Sequence, residues 1–329
     1  MRAPDAPTLP HGLDLDIDML RVMYTSRGVS ISGIDPRINA NRMARELGVS
    51  RARVAARLRA WAEHGFLERY DVWPNPYLFG LTGATFDLRV ADRFAKDAVL
   101  SRIGLVPGAV GGLDFLGDWL AVTFVLPRDA EASRTAALLR GISGVGEVSE
   151  ALPWTPPVSE GTMSPLELRI VRVLRAYPTD SLASIARRVG VSTRTITTRY
   201  GRLIDEQAVW FVPAFDFRAL SEPVVNLNLQ FRSGADRDAF GRALRRTYPR
   251  SLEFRRTAFG PALPETYGSF FVVERSVART EELEAWVRSQ PGLVSEEALI
   301  MKRIFSFPET FDRLIAGDPE VAVRRRAAR

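Results

Sequence analysis

Two stretches of this 329-residue chain join a helix-starting serine to arginines and small polar residues. One is Ser50-Arg51-Ala52-Arg53, continued by Arg57 and Arg59; the other is Ser192-Thr193-Arg194-Thr195, continued by Thr197, Thr198, Arg199 and Arg202. Arginine presents a planar fork of donors that fits guanine edges and phosphate oxygens, and threonine offers a hydroxyl and a methyl to base edges. Helical spacing turns Val54, Leu58 and Trp61 to one side, and Ile196, Tyr200 and Leu203 likewise, so these residues are expected in a core. The outward residues are then Ala52, Ala55, Ala56 and Arg59 in the first stretch. In the second they are Arg194, Thr197, Thr198 and Gly201, with Arg202 beside them. The alanine-lined face implies a helix that grips phosphates through Arg51, Arg53 and Arg59, while the second face is equipped to read sequence. Arg57 and Arg199 fall at the edge of the core face, where a phosphate contact and a tie to a neighbouring helix are both open. Gly201 marks either close backbone packing or a weaker second helix, and His64 reads as a polar residue near a helix end.

Composition removes other chemistries. There is no cysteine, and the only histidines are His11 and His64. Thiolate metal sites, disulfides and thiol nucleophiles are excluded, and a histidine metal centre or catalytic triad has no residues to draw on. The expectation is therefore no catalytic residue, no metal, no cofactor and no enzymatic activity. The opening MRAPDAPTLPHG lacks a signal-peptide core, and the longest apolar run, Trp119 to Leu126, is too short to span a bilayer. A cytoplasmic, nucleoid-associated protein without membrane contact is expected. The net charge of +6 and pI of about 10.0 permit an anionic partner. Seven arginines against three glutamates lie between Asn39 and Arg69, and five arginines against two acids between Ser181 and Phe211. Basicity thus concentrates on the two candidate helices. A terminal cluster, Arg324, Arg325, Arg326 and Arg329, reads as a tail that could add non-specific phosphate attraction.

The two stretches belong to a repeat. Met43-Ala-Arg-Glu-Leu-Gly-Val-Ser50 recurs 142 residues later as Ile185-Ala-Arg-Arg-Val-Gly-Val-Ser192. In both, apolar residues at i, i+3, i+4 and i+7 define a helix, Gly-Val a turn, and serine the cap of the next helix. An earlier helix precedes each pair, with Asp16 matched to Glu167 at an offset of 151, so the first copy holds nine more residues there, the loop Gly28 to Arg37. Apolar stretches Phe66 to Tyr70 and Ala208 to Val212 read as strands of a short wing. Each half continues in a strand–helix–strand–strand–helix–strand order, with Thr280 expected to cap the last helix. The fold class is α+β, two copies of a winged helix-turn-helix followed by a βαββαβ ferredoxin-like domain. The predicted boundaries are a tail (1–12), winged helix-turn-helix (13–82), ferredoxin-like domain (83–153), linker (154–163), second winged helix-turn-helix (164–221), second ferredoxin-like domain (222–306) and basic tail (307–329).

This pattern resembles the Lrp/AsnC, or feast/famine, family of transcriptional regulators. The residues that carry it are the acidic first helix, the Ala-Arg-x-x-Gly-Val-Ser turn, and Val54/Ile196 with Arg57/Arg199 after it. The stretch from Gly112 through Asp114 to Val122 resembles the family's glycine- and aspartate-bearing hairpin. The resemblance implies a sequence-specific partner, double-stranded DNA, held by helices at about 50–64 and 192–206. It also implies an amino-acid-like effector near Gly112 and Asp114, and paired ferredoxin-like domains, here as an internal pseudo-dimer that can assemble further. The tandem fusion, the nine-residue insertion, Gly201 and the long loop Gly260 to Glu265 depart from the family pattern. Two alternatives remain. Sirohaem decarboxylases also join two AsnC-like units and are expected to use histidines in the ferredoxin-like domains, which this chain lacks. A non-specific architectural DNA binder is the other.

Overall fold

The computed structural model describes residues 12–25, 40–127, 130–149, 151–154, 156, 159, 163–254 and 265–316. The Pro-rich start with His11, the insertion Gly28 to Arg37, most of the linker after residue 154, the loop from 260 to 264 and the terminal arginines lie outside these residues.

The repeat folds as its caps dictate. Helices α1 (Leu13–Thr25), α2 (Ala40–Leu47) and α3 (Arg51–Glu63) form the first unit. In the second unit they correspond to α6 (Pro165–Ala176), α7 (Leu182–Val189) and α8 (Thr193–Asp205). Gly48 and Gly190, at φ of 65° and 76°, turn the chain out of α2 and α7, a left-handed step that glycine takes without steric cost. Ser50 then accepts a hydrogen bond from the Arg53 amide at 3.2 Å, and Ser192 from that of Thr195 at 3.1 Å. Val54 and Trp61, with Met43 and Ile17, enter one core; Ile196, Tyr200 and Leu203, with Ile185 and Ile170, enter another.

The acidic residues of the first helices hold the helices that follow. Asp16, fully buried, accepts both a bidentate pair from Arg57 and the indole N–H of Trp61 at 2.6 Å. Glu167, equally buried, completes a capping box with Ser164 and takes Arg202 and, at 3.5 Å, Arg199. Burial raises the Asp16 pKa, and the Arg57 and Trp61 hydrogen bonds pull it back.

The expected wings are not there. Strand β1 (Leu67–Pro74) follows α3, and β7 (Val209–Phe215) follows α8. Instead of folding back within its own unit, each pairs antiparallel with the other in a two-stranded ribbon. Tyr70 faces Pro213 and Asp71 faces Val212; Arg69 faces Ala214 and Val72 faces Phe211. Residues 70 and 212, and likewise 71 and 213, are separated by the repeat offset of 142. Exchanging the halves therefore maps the ribbon onto itself, the signature of a twofold axis. The exits into the ribbon match as well. Gly65 lies at φ 70°, and its counterpart Gln207 at 52° is the one non-glycine with positive φ among the described residues.

The ferredoxin-like halves follow the predicted order. The first has β2 (Thr82–Val90), α4 (Lys96–Ile103), β3 (Ala109–Phe115), β4 (Trp119–Leu126), α5 (Ala130–Arg140) and β5 (Val145–Val148), with a short β6 (Leu152–Trp154) returning to β2. The second has β8 (Val224–Phe231), α9 (Gly234–Thr247), β9 (Ser251–Phe254), β10 (Tyr267–Val273), α10 (Val277–Arg288) and β11 (Leu293–Ser306). Ser276, not Thr280, caps α10, and Thr280 is buried within that helix. Strand β11 is shared: positions 293–300 pair with β8 and positions 301–306 with β3, giving the order β5-β2-β4-β3-β11-β8-β10-β9.

Beyond β11 the expected tail instead forms α11 (Glu309–Ala316), whose Phe311, Leu314 and Ile315 are buried. The docking is crossed. Unit one rests on the second half, through Arg250 to Asp14 at 2.6 Å and a common core with Val224, Leu252 and Phe271. Unit two rests on the first half and on α11, through Arg175 to the Val72 carbonyl at 2.6 Å and to Asp312 at 2.7 Å.

Gln207→Gly should raise stability by about 1 kcal/mol, because an L-residue in the left-handed region costs about 1–2 kcal/mol and the looser unfolded chain offsets part of the gain. Thermal unfolding of the variant checks this, and a lowered Tm would mean that the Gln207 side chain contributes more than its backbone costs.

Candidate nucleic-acid interface

The first turns of α3 and α8 face outward. Ser50, Arg51, Ala52, Arg53, Ala56 and Arg59 are exposed, as are Ser192, Thr193, Arg194, Thr197 and Thr198. Among the described residues no side chain pairs with Arg51, Arg53, Arg59 or Arg194, so four guanidinium groups stand toward solvent with their donors uncommitted. The Thr197 hydroxyl donates to the Thr193 carbonyl at 2.9 Å, which leaves its methyl and a lone pair outward. Thr195 is half-buried and bonded to Ser192 at 2.9 Å. Gly201 is half-buried, and a methyl added there would meet open space.

The remaining arginines separate from this set. Arg57 is buried against Asp16, so of the two roles open to it the structure has the tie. Arg199 and Arg202 are partly exposed and share Glu167, which leaves them beside the outward face. Sequence spacing alone could not assign these roles, because the acid that claims each arginine sits on a helix 32 to 41 residues earlier.

The hairpin expected to hold an effector is occupied by the protein itself. Asp114 is fully buried. It accepts from Lys96 at 2.8 Å and is paired with Lys302 and Arg303, each at 3.2 Å. Lys96 spends its other donors on the Phe115 and Trp119 carbonyls at 2.6 and 2.7 Å. Burial lowers the Lys96 pKa and Asp114 pulls it back up. Gly112 is required by the close approach of strands, since a Cβ there would lie 1.9 Å from the Ala121 carbonyl oxygen. The cluster joins α4, β3 and β11, and no free carboxylate oxygen points to a ligand.

Two further groups have perturbed ionisation, Asp87 and Tyr267. Asp87 of β2 and Tyr267 of β10 are far apart along the strand order. Burial pushes the Asp87 carboxyl up to about 6, with Glu297 adding to it, and raises the Tyr267 hydroxyl too. Asn228 lies 3.4 Å from the Glu297 carboxylate. A narrow apolar pocket between α1 and the second half is lined by Ile17, Leu20, Phe217, Leu252 and Phe271, with Asp16 as its polar edge.

The chain is thus α+β, two three-helix units joined to fused βαββαβ halves. No family model and no curated protein matches the sequence. Among solved structures, the siroheme decarboxylase NirDL superposes with a TM-score of 0.50 at 15% identity, covering 95% of this chain and 99% of that one. E. coli AsnC covers 46% of this chain and 97% of its own, at 14% identity and TM-score 0.29. PH0061 covers 50% and 98%, at 16% identity and TM-score 0.31. The NirDL likeness corrects one expectation. The absence of enzymatic activity inferred from composition does not stand, because the end-to-end architecture of this chain is one that an enzyme uses. No described helix is long and apolar enough to cross a membrane.

A pH dependence follows from Asp87. The folded state holds the Asp87 proton up to about pH 6, whereas an unfolded aspartate releases it near 4. The stabilisation is complete below that lower value and is lost as pH rises through about 6, for a total of about 3 kcal/mol at most. Thermal unfolding across that window should show Tm falling in the parent and falling less in Asp87→Asn; equal slopes would mean that this proton is not linked to folding.

Proposed function

We propose that this chain is a sequence-specific regulator of transcription that binds double-stranded DNA through α3 and α8. The observation that carries the reading is the exposure of both helices, with Arg51, Arg53, Arg59 and Arg194 uncommitted at the start of two capped helices. A second helix of this kind presents its first turns to base edges in the major groove, while flanking arginines and helix N-termini take phosphates. The ribbon holds the two readers in fixed relation, as the interface of a dimer would. The fused halves make that dimer within one chain, and further self-assembly is open. Because Asp114 is saturated by three cations, an amino-acid-like effector is not placed at Gly112 and Asp114.

The test is retention of labelled duplex by the full chain at rising salt. Affinity should fall linearly with log salt concentration. Changing Arg51, Arg53 and Arg59 together to Ala should weaken every duplex and flatten the slope by about one unit for each phosphate no longer neutralised. Retention without sequence preference would favour the architectural alternative. A chain that holds no duplex at about 50 mM salt, where phosphate binding is strong, would sink the DNA reading.

The NirDL likeness favours a second reading, a decarboxylase acting on a tetrapyrrole. Against it stands the histidine count, with none beyond position 64. Under this reading, anaerobic addition of siroheme should shift its absorbance bands and release carbon dioxide. An unchanged spectrum would exclude it.

A further inference from the structure

We infer that the DNA site of this protein consists of two inverted but chemically unlike half-sites, one read on its base edges by α8 and the other held through its phosphates by α3. The inference rests on the DNA-binding reading and specifies what that interface recognises.

Two observations combine. The first is geometric. The β1–β7 register is symmetric about a point between 70/71 and 212/213. The turns at Gly65 and Gln207 share a left-handed conformation at equivalent positions. Each reader therefore leaves the ribbon in the same way, and the two present equivalent faces related by a twofold axis. A homodimer with this geometry binds a palindrome, because symmetry gives both readers the same side chains.

The second observation is that fusion has removed that identity. On α3 the exposed positions between the arginines are Ala52 and Ala56, which have nothing to donate or accept. Their methyls permit close approach but distinguish bases weakly. The cations Arg51, Arg53 and Arg59 flank them, and Arg57 is withdrawn into its pair with Asp16. On the first two turns of α8 the exposed residues are Thr193, Arg194, Thr197 and Thr198, all with hydrogen-bonding groups. Arg194 can fork onto a guanine, and the threonines can place a hydroxyl or methyl against neighbouring bases. Equal placement with unequal chemistry gives an asymmetric site. It also fixes an orientation, because one end of the protein must sit on the information-rich half.

Selection from a random duplex pool with the full chain at about 150 mM salt tests this. The expected motif has strong base preference in one half and little in the other. Arg194→Ala and Thr197→Ala should each reduce discrimination in the strong half, by roughly 5- to 150-fold against the best wrong base for the arginine. The Arg51, Arg53 and Arg59 to Ala triple variant should weaken all sequences alike and leave the motif unchanged. These side chains are exposed, so an unchanged far-UV spectrum and Tm serve as the folding control. A palindrome with equal information in both halves, or a motif that survives Arg194→Ala and Thr197→Ala intact, overturns the inference while leaving DNA binding standing. Recovery of no duplex overturns DNA binding itself, and the inference with it.

Discussion

The pairing of β1 with β7 is the interaction on which the molecule depends. Each strand emerges four residues after α3 or α8 with a row of backbone donors and acceptors, and within its own unit it finds no partner. Unpaired, these groups would be buried at a cost of about 1–3 kcal/mol each, since all of β7 and the last three residues of β1 are inaccessible. Pairing across the halves satisfies them and places Trp210, Phe211 and Phe215 in cores to which both halves contribute. Neither half can complete its fold without the other. The twofold relation within the ribbon is therefore a consequence of backbone satisfaction.

Crossed docking extends this dependence. Helix α1 packs on the sheet of the second half, with Asp16 on the wall of the pocket between them. The same Asp16 holds Arg57 and Trp61 of α3. Helix α6 is held by α11, which in turn donates from Thr310 to the Ala109 carbonyl of β3 at 2.8 Å. The first helical unit is thus held by the second half's sheet, and the second by β1 and α11. In the sheet, burial perturbs the ionisation of Asp87 and Tyr267. The Asp114 cluster has the opposite character. Its carboxylate is saturated by cations from α4 and β11, a geometry that locks strands together and leaves nothing for a ligand.

The end-to-end likeness to a decarboxylase at 15% identity is a likeness of fold, and a fold does not by itself choose a function. The choice falls on side chains. The proposed DNA reading rests on exposed arginines and threonines of two capped helices, which the fold does not supply. Composition misled on one point. Scarcity of histidine and cysteine excludes particular catalytic devices, but it says nothing about reactions that draw on arginine, tyrosine or carboxylates.

What the sequence by itself determined was local. The repeat, the caps at Ser50 and Ser192, the turns at Gly48 and Gly190, the core faces of α3 and α8 and the βαββαβ order all follow from residues within a turn or two of one another, where periodicity and capping act. Tertiary structure decided everything that needed a distant partner. The expected wings became one shared ribbon because the nearest free backbone edge belonged to the other half. Arg57 turned inward because Asp16 offered a buried carboxylate, and Asp114 was claimed by Lys96, Lys302 and Arg303. The terminal segment became a helix because a gap beside α6 and β3 could bury Phe311 and Leu314. Short-range rules carry no record of which remote surface will be adjacent, and hydrogen-bond and charge satisfaction settle that only once the chain has closed on itself.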